Sequence, residues 1–139
     1  MSETSNSIAT NSIGRNPIHL GLGATAVVQP EFTGEMNWYQ SYGERTAEDG
    51  IEGRLVAMHT FTESWDMWEM HPNGSEVVLC VDGEVTLHQR VDDATSTAVQ
   101  LGPGEYAINE PGMWHTADVT DEATVVFITA GMGTEHRPR

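Results

Sequence analysis

Along most of this chain apolar and polar positions alternate with a period of two, in short runs cut by Gly, Pro, Asp and Asn roughly every ten residues. No long stretch sustains the 3.6-residue period of a helix. The pattern predicts strands over 24–28, 36–42, 54–61, 66–71, 75–81, 84–90, 97–101, 106–109, 114–119 and 124–129. Strands this short and this regularly spaced predict an all-β sandwich or closed barrel. Val81-Asp82-Gly83-Glu84 reads as a two-residue hairpin, because Asp-Gly supplies the positive φ values of a type I′ turn between alternating segments. Asp92 and Asp93 mark a second turn and Gly102-Pro103-Gly104 a third. The acidic stretch 44–53 reads as a surface loop.

The 139 residues are enough for one core, so the expectation is a flexible polar arm over 1–16 followed by a single domain over 17–139. The arm has neither the charged start nor the apolar stretch of a secretory signal, and no apolar run reaches the length of a membrane helix. A lone cysteine, Cys80, rules out an intramolecular disulfide and a thiolate zinc cluster, which suits a reducing cytoplasm. The formal charge is −15, and the six basic residues are all Arg. That balance repels phosphate backbones and anionic membranes, so nucleic acid and membrane are not expected partners. With no Lys, Schiff-base and P-loop chemistry are excluded.

Candidate chemistry gathers in Trp68-Glu69-Met70-His71-Pro72-Asn73-Gly74-Ser75-Glu76. Glu69 and His71, two apart on a strand, share a face. Pro72 to Gly74 break the strand, so Glu76 opens the next one with its carboxylate turned toward the same interior. His115, set after the Pro111-Gly112 turn, is the fourth candidate, and only the tertiary fold can bring it there.

The spacing Glu69-x-His71-x4-Glu76-x6-Gly83 resembles the first motif of the cupins, and Gly112-x-x-His115 resembles the core of the second. The resemblance implies a double-stranded β-helix, the jelly-roll barrel, with Glu69, His71, Glu76 and His115 on the four metal-ligand positions. Glu69 then stands where the first histidine usually does, and Pro111 adjoins Gly112 where the usual pattern leaves a residue between them. Two imidazoles and two carboxylates suit Fe(II), Mn(II), Ni(II) or Zn(II). Glu69 is open to three roles: ligand, neighbour of a ligand, or catalytic acid/base. If metal binding has been lost, His71 and Glu76 form a hydrogen-bonded pair in a small-molecule pocket.

Strand parity adds His59, Met67, Val78 and Cys80 as walls of that pocket, with ordinary core packing as the alternative for each. Trp68 and Met70 point the other way, where a second sheet or the partner of a homodimer would cover them. His19, His88 and His136 read as solvated surface groups, and Arg54 and Arg90 as candidates to grip a substrate carboxylate. Two functions follow. One is a metal-dependent enzyme acting on a small oxygen-containing organic molecule, by dioxygenation or by isomerase or lyase chemistry. The other is a non-catalytic small-molecule-binding or sensor module built on the same pocket.

Overall fold

Nine of the period-two segments form strands, and two strands that the pattern did not mark complete the sheets. The computed structural model describes residues 10–139; of the arm expected over 1–16, residues 1–9 lie outside the described residues. Residues 12–16 form a turn in which the Arg15 and Asn16 amides donate to the Ser12 carbonyl. The strands are β1 (Ile18–Gly21), β2 (Thr25–Val28), β3 (Arg54–Phe61), β4 (Met67–Met70), β5 (Glu76–Gly83) and β6 (Val85–Arg90). They continue with β7 (Ser96–Leu101), β8 (Tyr106–Asn109), β9 (Trp114–Asp118), β10 (Ala123–Thr129) and β11 (Glu135–Pro138).

Two antiparallel sheets face one another, in the orders β2-β1-β3-β10-β5-β8 and β11-β4-β9-β6-β7. From β3 onward the chain crosses between sheets at nearly every step, and β6–β7 is the one sequential hairpin there. That crossing is a jelly-roll, as the resemblance implied. Inward positions of both sheets make the core: Val78, Cys80, Val125 and Phe127 from one, Val85, Leu87, Leu101 and Ala117 from the other.

The hairpin expected at Val81–Glu84 is not one. β5 pairs with β10 and β8, whereas β6 pairs with β9 and β7, so the chain changes sheets at this turn. Gly83 does carry the positive φ that the turn chemistry indicated, +75°, and it stays paired with Ala123 of β10. A Cβ there would stand 2.0 Å from the Glu122 carbonyl oxygen. A left-handed backbone and a collision with main chain act together. Gly83→Ala is therefore expected to lower Tm by on the order of 10 °C. A thermal melt unchanged from the parent would show that the crossing tolerates a side chain.

The strand expected over 36–42 is a helix, α1 (Met36–Arg45). Trp38 and Tyr39 favour strands, but Trp38, Tyr42 and Arg45 fall on one helical face that packs against the first strands. Trp38 is buried and stacks on Tyr42 at 5.7 Å, and Arg45 donates to the Gln29 side-chain oxygen at 3.0 Å. The loop expected over 44–53 contains the end of α1 and a 3₁₀ turn, Ala47–Glu52. His19, expected in solvent, is 4% exposed, its two ring nitrogens each 2.6 Å from a partner, Tyr42 Oη and Asp49 Oδ2. This contact ties helix and turn to β1.

On the outer face of the five-stranded sheet, Trp68 and Trp114 are half-buried beneath cations. The Arg90 guanidinium sits 4.7 Å from the Trp68 ring centre and that of Arg137 sits 3.9 Å from Trp114. Arg54 is exposed on β3. Among the described residues no helix is long and apolar enough to cross a membrane.

Candidate metal centre

The strand register assembles the cluster. Glu69 on β4 and His115 on β9 are cross-strand partners, so their side chains rise together on the inner face. His71 follows β4 directly, and its carbonyl accepts the Gly112 amide at 2.9 Å, which binds the turn after β4 to the turn before β9. Glu76 opens β5 on the facing sheet, opposite Asn109. One donor atom from each of Glu69, His71, Glu76 and His115 falls within 4.8 Å of all the others.

Both imidazoles present Nε2 to this point. His71 Nε2 is 3.2 Å from Glu69 Oε1 and 3.2 Å from Glu76 Oε2. His115 Nε2 is 3.3 Å from Glu69 Oε1 and 3.1 Å from Glu76 Oε1. Atoms held by one ion at roughly 2.1 Å stand roughly 3.0–3.4 Å from each other, so the donor spacing fits a shared ion. The outer nitrogens fix the tautomers. The Thr134 hydroxyl donates to the Gly131 carbonyl, so it accepts from His71 Nδ1–H at 2.7 Å; His115 Nδ1–H donates to the Met113 carbonyl at 3.2 Å. With Nδ1 carrying the proton, a neutral ring turns its Nε2 lone pair inward, as ligation requires.

Glu76 is gripped on both oxygens, Oε1 accepting from Asn109 at 3.1 Å and Oε2 from the Thr129 hydroxyl at 2.6 Å. Gln89 in turn donates to Asn109 Oδ1 at 2.8 Å. Glu69 is held differently: Oε1 faces the cluster and Oε2 accepts from His136 on β11 at 2.9 Å. Nothing in the sequence marked Gln89, Asn109, Thr129, Thr134 or His136, because their relation to the cluster comes from strand pairing alone. His136, read as a solvated tail residue, faces Glu69 across the β11–β4 ladder.

Burial opposes charge on all four groups, and their mutual attraction overrides it. Hydrogen bonding and proximity to His115 and His71 hold the Glu69 carboxyl well below the usual carboxylate range and bring Glu76 down to about 2. Facing Glu69 and Glu76, His71 and His115 are each raised to about 9. Two imidazolium and two carboxylate groups make a neutral set. One divalent ion replacing two protons leaves it neutral again. Yet protonation does not fully satisfy the geometry: His71 Nε2 is buried 3.2 Å from both carboxylates without a well-aligned hydrogen bond to either, one of two such side-chain atoms among the described residues. The other, Trp65 Nε1, belongs to an indole edge-on to His115 at 6.3 Å. A cation between the carboxylates would give this nitrogen the aligned partner that they do not.

The pocket candidates divide. Val78 and Cys80 belong to the packed core, and the void beside Val78, bounded also by Trp65, Leu87 and Phe127, is about 10 Å³, room for about one water. Burial pushes the Cys80 thiol up, away from nucleophilic chemistry. Met67 is half-buried on β4, its carbonyl accepting the Thr116 hydroxyl. His59 is half-buried, 4.8 Å from Phe32 and 6.0 Å from Phe127, and burial lowers its pKa. On the open side the Glu69 side chain is 24% exposed, and Tyr39 of α1 is near enough that Glu69's charge adds to burial in raising its phenol. Glu69 is thus the most exposed of the four donors, the side chains of His71, Glu76 and His115 being at most 5% exposed.

Comparison with known proteins bears on the fold. The family model described as the cupin domain matches residues 57–131. A cupin-like protein from Thermotoga maritima superposes with a TM-score of 0.54 at 21% identity, covering 67% of this chain and 71% of that one. Peruvianin-I, a cysteine peptidase from Thevetia peruviana latex, gives 0.55 at 18% identity over 94% of this chain and 71% of its own. Oxalate oxidase in complex with glycolate gives 0.51 at 16% identity, over 59% of this chain and 45% of that one. No curated protein matches the sequence.

Proposed function

This chain belongs to the cupin family, and on that premise we propose that Glu69, His71, Glu76 and His115 hold one divalent ion in an enzyme acting on a small oxygen-containing organic molecule. The observation that carries the proposal is the four-donor cluster, in which the buried Nε2 of His71 has no well-aligned hydrogen bond. The ion, when bound, polarises a substrate oxygen, and a redox-active one such as Fe(II) adds dioxygen chemistry to the isomerase or lyase alternatives. Glu76, fixed on both oxygens, holds its place and moves no proton. Glu69 is the only cluster carboxylate facing the open side, so proton transfer at a bound substrate falls to it when it is not ligating. The filled core and the half-buried Met67 limit the ligand to a small one. Oxalate oxidase has been seen with glycolate, and hydroxy acids and dicarboxylates of that size are the first substrates to screen.

A non-catalytic binding module is the second reading, and the charge-neutral arrangement of the cluster without metal favours it. Metal analysis by inductively coupled plasma mass spectrometry, on protein purified without a histidine tag, separates the two. The expected result is close to one ion per chain, lost in His71→Ala. Loss in Glu69→Gln as well assigns Glu69 as a ligand; retention there assigns it the proton-transfer role. Protein that takes up no Fe(II), Mn(II), Ni(II) or Zn(II) on reconstitution would leave the binding module as the function.

A further inference from the structure

We propose that His136 is a positioning residue that confines Glu69 to ligation through one oxygen, so that the carboxylate acts as a single-atom donor where a histidine would otherwise stand. The inference rests on the metal-centre reading above. A free carboxylate binds an ion through one oxygen or two, and the second oxygen takes a coordination position that a substrate needs. Here the two oxygens are separated in role. Oε1 faces His71 and His115 at 3.2 and 3.3 Å, while Oε2 is turned away and accepts from His136 Nε2–H at 2.9 Å.

The strand that carries His136 is built to hold it there. β11 pairs with β4 so that His136 lies opposite Glu69, continuing the row of Glu69 and His115 across the sheet. At one end of β11, Thr134 accepts from His71 Nδ1–H, so the same segment orients two of the four donors. At the other end, Arg139 donates to Asp118 Oδ1 and to the Trp65 carbonyl, each at 2.8 Å, which pins the strand. His136 falls beyond residues 57–131, the span matched by the family model, and its side chain is 47% exposed, so core packing does not account for its place.

The test titrates Co(II) into the metal-free full chain and into His136→Ala and His136→Gln, reading affinity and visible ligand-field absorption, with thermal melts of each metal-free protein. The wild type should bind one Co(II), and His136→Ala should still bind one but about 10–100-fold more weakly. Its absorption bands should lose intensity as a second Glu69 oxygen raises the coordination number. His136→Gln, whose amide can donate to the same oxygen, should recover most of both signals, and metal-free Tm should be alike in all three. Wild-type affinity and spectrum in His136→Ala would overturn the role of His136 while leaving the metal centre intact. A matching fall in metal-free Tm with no rescue by Gln would likewise overturn it, in favour of a structural role. A wild type that takes up no Co(II) would overturn the metal-centre reading and this inference with it.

Discussion

Affinity for a divalent ion should rise by about 10⁴-fold between pH 6 and pH 8. His71 and His115 both face Glu69 and Glu76, and both are raised to about 9 in the metal-free protein. Each must give up its Nε2 proton before that nitrogen can ligate. The carboxylates stay ionised throughout this range, since Glu76 titrates near 2 and Glu69 lower still. His136 touches Glu69 but donates a hydrogen bond to it whether neutral or charged. Two protons lost per ion make log K climb by about two per pH unit until the imidazoles deprotonate near 9. Competition with a chromophoric chelator across that range measures the slope. Calorimetry in buffers of different ionisation enthalpy should count close to two protons released at pH 7. A slope near zero would show that the rings are already neutral and that the carboxylates do not hold them charged.

Replacing Glu76 by Gln should cost both metal affinity and metal-free stability. It removes a ligand, so the affinity loss should exceed the roughly 10–100-fold expected for an outer hydrogen-bond partner such as His136. It should also destabilise the metal-free protein, because two buried imidazolium groups then share one carboxylate. The pH dependence has a definite sign. Glu76 is lowered from 4.5 to about 2, so its contribution is complete above about pH 4.5 and is lost as pH falls toward 2. The imidazoles are raised from 6.5 to about 9, so theirs is complete below about pH 6.5 and is lost as pH rises through 9. Metal-free wild type should therefore be most stable between about pH 4.5 and 6.5. There Glu76→Gln should lose on the order of 3 kcal/mol, with the gap closing on both sides. Urea unfolding at pH 5.5 with a chelator present measures it. Equal stability at that pH would mean that the cluster contributes nothing without its ion.

The strands between 54 and 129 were legible in the chain's own pattern, since a period-two alternation has one physical reading when one face of each strand is buried. The sequence also brought Glu69 and His71 onto one face and marked Gly83 as a position needing positive φ. Local rules carried that far because each of those features depends on neighbours a few residues away. The helix at Met36–Arg45 was beyond them: Trp38 and Tyr39 favour strands, and it is packing of the Trp38, Tyr42 and Arg45 face against Gln29 and His19 that selects the helix. Gly83 was legible as a turn but not as a crossing between sheets, because partner choice for β5 and β6 is settled by β10 and β9, both far downstream in the chain.

The same division runs through the site. Four donors were nameable from spacing, but their convergence, the tautomers set by Thr134 and Met113, and the grip of Asn109 and Thr129 on Glu76 exist only once both sheets face each other. His136 shows the limit most clearly. It is 67 residues from Glu69 along the chain and 2.9 Å from it in space. Periodicity reports which face a side chain takes within its own strand; which residue it meets across the ladder is decided by register, and register is a property of the folded sheet.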